Sequence, residues 1–238
     1  MKTSKFVHNA LFFLFLCFGL ISCIRELDPG PLQNDERNYA ILDFERIEIG
    51  DAFFITVEQS PVYSVHVRGD RRNLDDLVIV KIGSTLAVHY KDNREHEHTT
   101  YITITMPVIK GANLSGASSS VINGFNAADG MELILSGAAI SQLNIESKLL
   151  AINLSGASRL MVSGKTDVMT AKTSGASELY AYSFSAIAAD VDASGASKVN
   201  VYASQSLKAV ASGAGIIYYR GEPSVNVSVS GAGSVQKD

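Results

Sequence analysis

Apolar residues recur at every second position through the second half of the chain, the pattern of strands that bury one face. The alternation is organised around the tripeptide Ser-Gly-Ala, which occurs seven times between Ser115 and Ser230 at spacings of 18 to 21 residues. The positions five, three and one before each serine are the most regular, and we expect them to point inward. They include Met131, Leu133, Leu135, Leu150, Ile152, Leu154, Ala189, Val191, Ala193, Leu207, Ala209, Ala211, Val225, Val227 and Val229. A second alternating run follows each tripeptide, so one repeat contains two or three short strands.

A repeat of this length predicts one coil of a parallel β-solenoid, in which each strand pairs with its equivalent in the next coil. A propeller blade needs about 40 residues, and the Leu/Asn pattern of a leucine-rich repeat is missing. We therefore predict an all-β chain, a single-stranded parallel β-helix with about seven Ser-Gly-Ala coils over residues 111–238. At the usual strand spacing, seven coils make a rod about 30 Å long.

The Ser-Gly-Ala tripeptide is expected to form a corner of each coil. Glycine can adopt the backbone angles of a sharp bend, and alanine would fit a narrow inner corner. Stacked serine hydroxyls would bond corner backbone groups or one another. A catalytic serine is not expected, because seven copies of a nucleophile have no chemical purpose and residues 112–238 contain no histidine.

Residues 40–110 lack the tripeptide and form an irregular N-terminal β portion. Alternating runs separated by turn signals predict six short strands there. Two arrangements fit, irregular opening coils or a small antiparallel cap. We favour continuity with the solenoid over a separate domain, since the end coils of solenoids are commonly atypical.

The first residues read as an export signal. Lys2 and Lys5 precede an apolar run over residues 10–21, which is too short for a spanning helix. The run ends in Leu-Ile-Ser-Cys23, which resembles the cleavage motif of bacterial lipoproteins. We predict a lipoprotein signal peptide over residues 1–22, a lipid on Cys23 that anchors the chain to a membrane, and a flexible tether over residues 23–39. The alternative is an ordinary signal peptide with a chance cysteine.

Composition narrows the classes of partner. Hydrophobic residues make up 46% of the chain and charged residues 18%, with a net charge of -4. This balance excludes a disordered protein and argues against nucleic acid as a partner, because there is no basic surplus to neutralise phosphates. The two cysteines both lie near the N-terminus, so no disulfide or cysteine-based metal framework is expected.

Two groups of residues are candidate chemical sites. The stretch from Asn93 to His98, with His89 nearby, contains zinc-type ligands but no fixed third ligand, and a solvated hairpin tip explains it equally well. Asp190 and Asp192 share a strand face, as glycosidic carboxylates do in enzymes built on β-helices. Their repeat positions instead predict charge ladders with lysines of neighbouring coils, and a similar ladder of alternating sign is predicted for Arg159, Glu178 and Lys198. We predict no catalytic residue, no metal and no cofactor.

One outward face carries a cluster of aromatic residues. The outward positions after the fourth, fifth and sixth tripeptides are Tyr180, Tyr182, Tyr202, Tyr218 and Arg220. Exposed aromatic rows can stack on sugar rings or pack against another protein. The competing interpretation is an aromatic ladder that only stabilises the solenoid. We predict this face as the candidate binding surface for a glycan or a protein.

Several segments resemble a known family. They are Phe44-Glu-Arg-Ile-Glu-Ile-Gly50, Val65-His-Val-Arg-Gly-Asp70, Thr85-Leu-Ala-Val88, Ile102-Thr-Ile-Thr-Met-Pro107 and Leu114-Ser-Gly-Ala117. In this order they resemble the head GIN domain family, labelled putative autotransporter adhesins. The resemblance implies a right-handed β-helix, exported or lipid-anchored, of Bacteroidetes-type bacteria, and supplies no catalytic residues.

Together these features predict a non-enzymatic lipoprotein of the cell envelope, serving as an adhesion or interaction module. We expect it at the outer membrane, on the periplasmic or the cell-surface side. The alternatives are a structural or sensing envelope protein without a ligand, and a polysaccharide lyase or hydrolase built on the β-helix.

Overall fold

The computed structural model describes residues 30–92, 94, 96–127 and 129–238. The predicted signal peptide and Cys23 lie outside these residues. Residues 32–238 form one compact unit. Within the described part of the chain, no helix has the length and apolar character needed to cross a membrane.

The described residues of this unit form seventeen strands and one helical turn. The strands are β1 (Asn34–Tyr39), β2 (Arg46–Ile49), β3 (Phe54–Gln59), β4 (Ser64–Asp70), β5 (Leu77–Ile82), β6 (Thr85–Tyr90), β7 (Tyr101–Met106), β8 (Gly111–Leu114), β9 (Ser119–Ala127), β10 (Met131–Leu135), β11 (Ile140–Leu154), β12 (Arg159–Thr173), β13 (Glu178–Ala193), β14 (Lys198–Ala211), β15 (Ile216–Arg220), β16 (Ser224–Val229) and β17 (Ser234–Lys237). The helix α1 spans Arg71–Asp76.

The repeats form a parallel β-solenoid of about seven turns, which confirms the predicted fold class. The strands before each Ser-Gly-Ala turn pair in parallel in the order β8, β10, β11, β12, β13, β14 and β16. The strands after each turn pair in the order β9, β11, β12, β13, β14, β15 and β17. We call these two surfaces the pre-turn side and the post-turn side. The long strands β11 to β14 bend around a corner and contribute to both.

The inward positions stack in register and fill the core, as the alternation predicts. Leu133 pairs with Ile152, which pairs with Ala171, and all three are buried. The last coil departs from this pattern, because Val225, Val227 and Val229 are 37–48% exposed. They lie in register with buried residues of β14, but no described residue packs over their other side.

The turns follow the predicted role of glycine but not that of alanine. Gly156 adopts φ +70°, and a Cβ atom there would lie 2.5 Å from the carbonyl oxygen of Gly137 in the preceding coil. The amide of Ala157 donates to that same oxygen at 2.7 Å, so the turns of adjacent coils are hydrogen-bonded to each other. Alanine was expected at the inner corner, yet Ala157 is exposed and the following residue, Ser158, is buried.

The N-terminal portion contains both opening coils and antiparallel strands. β2 lies between β6 and β8, and β3 lies between β7 and β9, all in parallel. The strands β2 and β3 are therefore inserted between two coils formed later in the sequence. The amide of Ala117 donates to the carbonyl of Asp51 at 3.0 Å, which places the β2–β3 turn directly beside the first Ser-Gly-Ala turn. β4 and β5 add antiparallel pairs to β7 and β6.

The predicted tether over residues 23–39 is wrong for its last six residues. β1 pairs antiparallel with β4 along its whole length, from Asn34 opposite Asp70 to Tyr39 opposite Val65. The strand is polar except for Tyr39, which packs against the core, and it is held by backbone pairing and by the ion pair of Arg37 with Asp75 of α1. The polar sequence of residues 34–39 therefore forms an edge strand, although it lacks the apolar alternation by which strands are predicted.

Candidate functional site

A groove of about 590 Å³ lies on the post-turn side and crosses β9, β11, β12, β13 and β14. Its lining residues are Val121, Ile122, Asn123, Gln142, Leu143, Asn144, Met161, Val162, Ser163, Tyr180, Tyr182, Ser183 and Asn200. The lining thus consists of amide, hydroxyl, phenol and apolar groups without a charged side chain.

The floor of the groove is one row of outward positions in successive coils. Val121 pairs with Gln142, Gln142 with Met161, Met161 with Tyr180, and Tyr180 with Asn200. The side chains alternate with buried neighbours along each strand, so strand pairing alone fixes them side by side.

The amides of the groove differ in how far the protein already satisfies them. Asn144 Nδ2 donates to Ser163 Oγ at 3.0 Å, linking two coils. Asn200 Oδ1 is buried and has no hydrogen-bond partner among the described residues. Because this oxygen is buried, a ligand hydroxyl or amide could bond it only after the Asn200 side chain turned toward the groove.

One wall of the groove is raised by an irregularity in β13. The register between β12 and β13 shifts by one residue between Met161 and Ser163, which pair with Tyr180 and Ser183. Tyr182 lies in the extra length, and it pairs with neither neighbouring strand. The bulge re-aims this side chain along the surface, as bulges beside functional sites commonly do.

The five residues of the predicted aromatic face all lie on the post-turn side, but only Tyr180 and Tyr182 line the groove. The four tyrosines are half-buried rather than fully exposed. Arg220 stacks on Tyr182 with its guanidinium carbon 4.0 Å from the ring centroid. Lys198 lies over Tyr218, with Nζ 5.4 Å from the ring centroid. Two of the predicted rings thus already contact cations of this chain.

The groove phenols keep their protons near neutral pH. Burial raises the pKa of Tyr182 to about 12, and the carboxylate of Asp238 adds to the shift. Burial likewise raises the pKa of Tyr180, whose hydroxyl donates to Glu178 Oε2 at 3.1 Å. Both groups are therefore neutral hydrogen-bonding phenols in physiological solution.

An aromatic pair that the sequence analysis missed lies beside the groove. An adjoining hollow of about 370 Å³ shares Val121 with it and includes Phe54 and Tyr101. The two rings, on neighbouring strands β3 and β7, lie 5.7 Å apart and are 50% and 43% exposed. Their sequence signal was weak, because the two residues are 47 positions apart and β3 is inserted out of chain order.

The two candidate glycosidic carboxylates, Asp190 and Asp192, lie in the predicted charge ladders. Asp190 Oδ2 accepts a hydrogen bond from Lys208 Nζ at 2.9 Å, and Asp192 lies opposite Lys172 in the strand register. On the post-turn side the predicted Arg159–Glu178–Lys198 order is confirmed by the strand register, and Arg159 Nε lies 2.6 Å from Glu178 Oε2. The Asp190 and Asp192 carboxylates lie on the pre-turn side, outside the groove lining.

The three candidate histidine ligands have different surroundings in the structure. His89 is exposed on β6, whereas His98 Nε2 lies 3.9 Å from Asp70 Oδ2. His96 instead lies near two carboxylates, Asp76 and Asp92. Burial, followed by the charge of Arg94, lowers the pKa of His96.

The fold is shared with solved structures. A putative adhesin from Bacteroides fragilis aligns with a TM-score of 0.76 at 20% identity, covering 87% of this chain and 97% of that one. A putative lipid binding protein from Parabacteroides distasonis aligns with a TM-score of 0.72 at 23% identity, covering 86% and 96%. A putative adhesin from the same species gives 0.72 at 18% identity, covering 88% and 98%. At these identities the likeness is one of fold.

Among curated proteins, none matches the chain in sequence. Residues 43–223 match the family model described as "Putative auto-transporter adhesin, head GIN domain". This span includes the segments from Phe44 onward on which the resemblance was based. Because the match covers well over half of the sequence, the chain belongs to the head GIN domain family of putative auto-transporter adhesins.

Proposed function

We propose that the protein is an adhesion module of the cell envelope that binds a neutral glycan along the post-turn side. The observation that carries this proposal is the uncharged groove of amides and hydroxyls beside the exposed Phe54–Tyr101 pair. Membership in a family described as adhesins supports the same class of function.

The chemistry of the groove favours a sugar over other ligands. Gln142, Asn144 and Asn200 offer both donors and acceptors, the combination that sugar hydroxyls match. The Phe54 ring provides flat apolar surface for the face of a sugar ring. The neighbouring Tyr101 ring already contacts a cation, because the guanidinium carbon of Arg68 lies 4.7 Å from its centroid. The lining of the 590 Å³ groove offers no cation to a phosphate or an acidic polymer, whereas the adjoining 370 Å³ hollow is lined by Arg68.

Binding of the full chain to an array of neutral and acidic glycans tests the proposal. We expect neutral glycans to bind, with at least a tenfold loss on Gln142→Ala or Phe54→Ala, equivalent to about 1.4 kcal/mol. Asn153→Ala is the matched control, because Asn153 is an outward amide on the pre-turn side, away from the groove. Equal losses in all three variants, or binding of proteins but of no glycan, would overturn the proposal.

A scaffold role without a ligand is the second candidate. The contacts of Tyr182 with Arg220 and of Tyr218 with Lys198 favour it, because they give the aromatic row a stabilising function of its own. In that case Tyr182→Ala and Tyr202→Ala would lower stability while glycan binding would be absent from the unmodified chain as well. A polysaccharide-cleaving activity would instead require loss of turnover on Asp190→Asn or Asp192→Asn.

We further propose that the module is exported and anchored by lipid on Cys23, at the outer membrane. The basic start, the apolar run over residues 10–21 and the position of Cys23 support this. Metabolic labelling with a fatty acid should mark the chain, and Cys23→Ala should abolish the label. Protease treatment of intact and lysed cells then distinguishes a surface location, with loss from intact cells, from a periplasmic one, with loss only after lysis.

A further inference from the structure

Three ligand-type side chains meet at the N-terminal end of the solenoid, far along the chain from the groove residues. Asp76 is the last residue of α1, and Asp92 and His96 lie in the segment after β6. One donor atom from each lies within 4.8 Å of the others, and His96 Nε2 is 3.7 Å from Asp76 Oδ2.

His96 provides a second observation that is independent of the acidic residues. Its side chain is only 10% exposed, and Nε2 is buried without a hydrogen-bond partner among the described residues. A buried polar nitrogen left in this state is costly, so its position requires an explanation. The ring is fixed by stacking on Tyr90, with the ring centroids 3.5 Å apart and the planes 6° from parallel. The unpartnered nitrogen therefore points toward Asp76 from a rigid position.

A cation already lies among these groups. Arg94 Nε donates to the Asp76 carboxylate and lies 3.8 Å from Asp92 Oδ1. The same guanidinium donates through Nη2 to the carbonyl of Arg72 at 2.7 Å. Two carboxylates therefore share one guanidinium. His96 Nε2 lies 3.7 Å from Asp76 Oδ2, beyond hydrogen-bond distance, and has no other partner among the described residues.

We propose that Asp76, Asp92 and His96 form a binding site for a divalent transition metal of the zinc type, which takes the place of the Arg94 guanidinium between the two carboxylates. Zinc accepts nitrogen and carboxylate ligands at 2.0–2.2 Å, so donor atoms on one tetrahedral ion lie about 3.4 Å apart. The 3.7 Å separation of His96 Nε2 and Asp76 Oδ2 is close to this value. Asp92 is 57% exposed, and its Oδ1 accepts the backbone amide of Arg94 at 3.2 Å, so its side chain would rotate out of this contact to close the remaining distance.

The donor set also selects the class of metal. Calcium and magnesium prefer ligand sets made of oxygen, whereas an imidazole nitrogen favours zinc, cobalt, nickel or copper. A bound ion would join the end of α1 to the segment that leads from β6 to β7. It would thus fasten the antiparallel end of the solenoid, where the amide of Lys91 already donates to the carbonyl of Asp76 at 2.9 Å.

Titration of the detergent-purified full chain with Co²⁺, followed by visible absorption, tests the site. We expect one ion to bind, with at least about tenfold weaker binding for His96→Gln and Asp76→Asn. His89→Gln is the control, because His89 is exposed on β6, and it should bind as the unmodified chain does. Unchanged binding in His96→Gln, or equal loss in His89→Gln, would overturn the proposal.

Arg94→Gln gives a second and opposite test. This variant keeps all three proposed ligands and removes the competing cation, so Co²⁺ should bind several-fold more tightly. Binding that is unchanged or weaker would show that Arg94 does not compete with the metal and would overturn the proposal. Because this variant retains His96 on Tyr90, it decides the question even if His96→Gln does not fold, which circular dichroism would reveal.

Discussion

The guanidinium carbon of Arg220 lies 4.0 Å from the centroid of the Tyr182 ring, although the two residues belong to strands separated by a whole coil. Arg220 Nη2 also lies 2.6 Å from Asp238 Oδ2 in the last coil. One side chain thus connects the bulge of β13, the strand β15 and the residue that follows β17. This contact accounts for the half-buried state of Tyr182, since the cation covers a ring that the sequence pattern predicts to be exposed.

Removal of the Arg220 side chain should weaken the last coils. We expect Arg220→Gln to lower the free energy of unfolding by about 1 kcal/mol, the sum of an exposed cation–π contact and a surface ion pair. Urea denaturation measures the change, and hydrogen exchange should increase in β17 more than in β12. Tyr182→Phe keeps the ring under the cation and should cost less than half as much. An equal cost would assign the effect to the phenol hydroxyl instead.

The raised pKa of Tyr182 predicts a loss of stability in strongly alkaline solution. Its folded pKa of about 12 exceeds the ordinary tyrosine value of about 10. The stabilising contribution is therefore complete below pH 10 and is lost as the pH rises toward 12. Titration of tyrosinate absorbance should show a group ionising near pH 12 that is absent from Tyr182→Phe. A difference spectrum that titrates at the ordinary value would contradict the prediction.

Asp70 should dominate the loss of stability in acid. Its carboxylate is fully buried, accepts from Arg72 Nη2 at 2.7 Å and from the Gln33 amide at 2.9 Å, and caps α1 through the Arg72 amide. The hydrogen bond from the Arg72 side chain, ahead of backbone bonds, holds the pKa of Asp70 well below its usual range. A carboxyl whose pKa is lower in the folded state than in the unfolded state stabilises the fold at a pH above the unfolded pKa of about 4. This contribution is lost as the pH falls below that value.

We therefore expect Asp70→Asn to cost about 3 kcal/mol at neutral pH, because it breaks a buried ion pair and removes the carboxylate that the Arg72 side chain and two backbone amides contact. The difference from the unmodified chain should shrink as the pH is lowered through 4. Asp190→Asn removes only an exposed ion pair and should cost less than about 1 kcal/mol. Urea denaturation of the three proteins across this pH range provides the measurement, and similar costs for both variants would contradict the assignment.

The regular half of the fold could be predicted because each repeat contacts only the repeats next to it in the sequence. Leu133, Ile152 and Ala171 occupy the same repeat position, and one alternation rule places them all in the core. The charge ladders followed from the same arithmetic. For Val225 the rule predicts the register with Leu207 correctly but predicts burial wrongly. The side chain is exposed because no described residue covers it.

The remaining features depend on contacts that no repeat position records. β3 pairs with β9 and β7 because it is inserted between coils, and this insertion creates the Phe54–Tyr101 pair. Asp76 lies near His96 because of the position of α1 in the fold. The spacing of residues along the sequence does not indicate this contact. The bulge that turns Tyr182 toward Arg220 likewise depends on a mismatch in length between two neighbouring strands.

The glycine of the stacked turns should be far less replaceable than a glycine at an open bend. In Gly156→Ala the new Cβ would lie 2.5 Å from the Gly137 oxygen at φ +70°. Left-handed strain and displacement of the coil contact together should cost about 3 kcal/mol. Gly124 has φ +79° with no atom within 4 Å of its Cβ position, so Gly124→Ala should cost only about 1 kcal/mol. Equal shifts in denaturation midpoint would show that backbone strain alone determines the cost.

Several Ser-Gly-Ala turns are followed by a buried serine, and one of these serines offers a substitution that should stabilise the protein. The buried serines are Ser118, Ser158, Ser177 and Ser197. Ser158 is 1% exposed and its Oγ has no hydrogen-bond partner among the described residues. The preceding coil has Ala139 at this position, also fully buried, so the site accepts alanine without rearrangement.

Ser158→Ala removes an unsatisfied hydroxyl and should raise the free energy of unfolding by about 1 kcal/mol. Ser197→Ala is the same substitution two coils later, where Thr173 Oγ1 donates to Ser197 Oγ at 2.9 Å. That change should lower the free energy of unfolding by about 1 kcal/mol, because it leaves the Thr173 hydroxyl without this partner. Urea denaturation of both variants tests the opposite signs. If Ser158→Ala proved destabilising, the Ser158 hydroxyl would have a hydrogen-bonding role within the core after all.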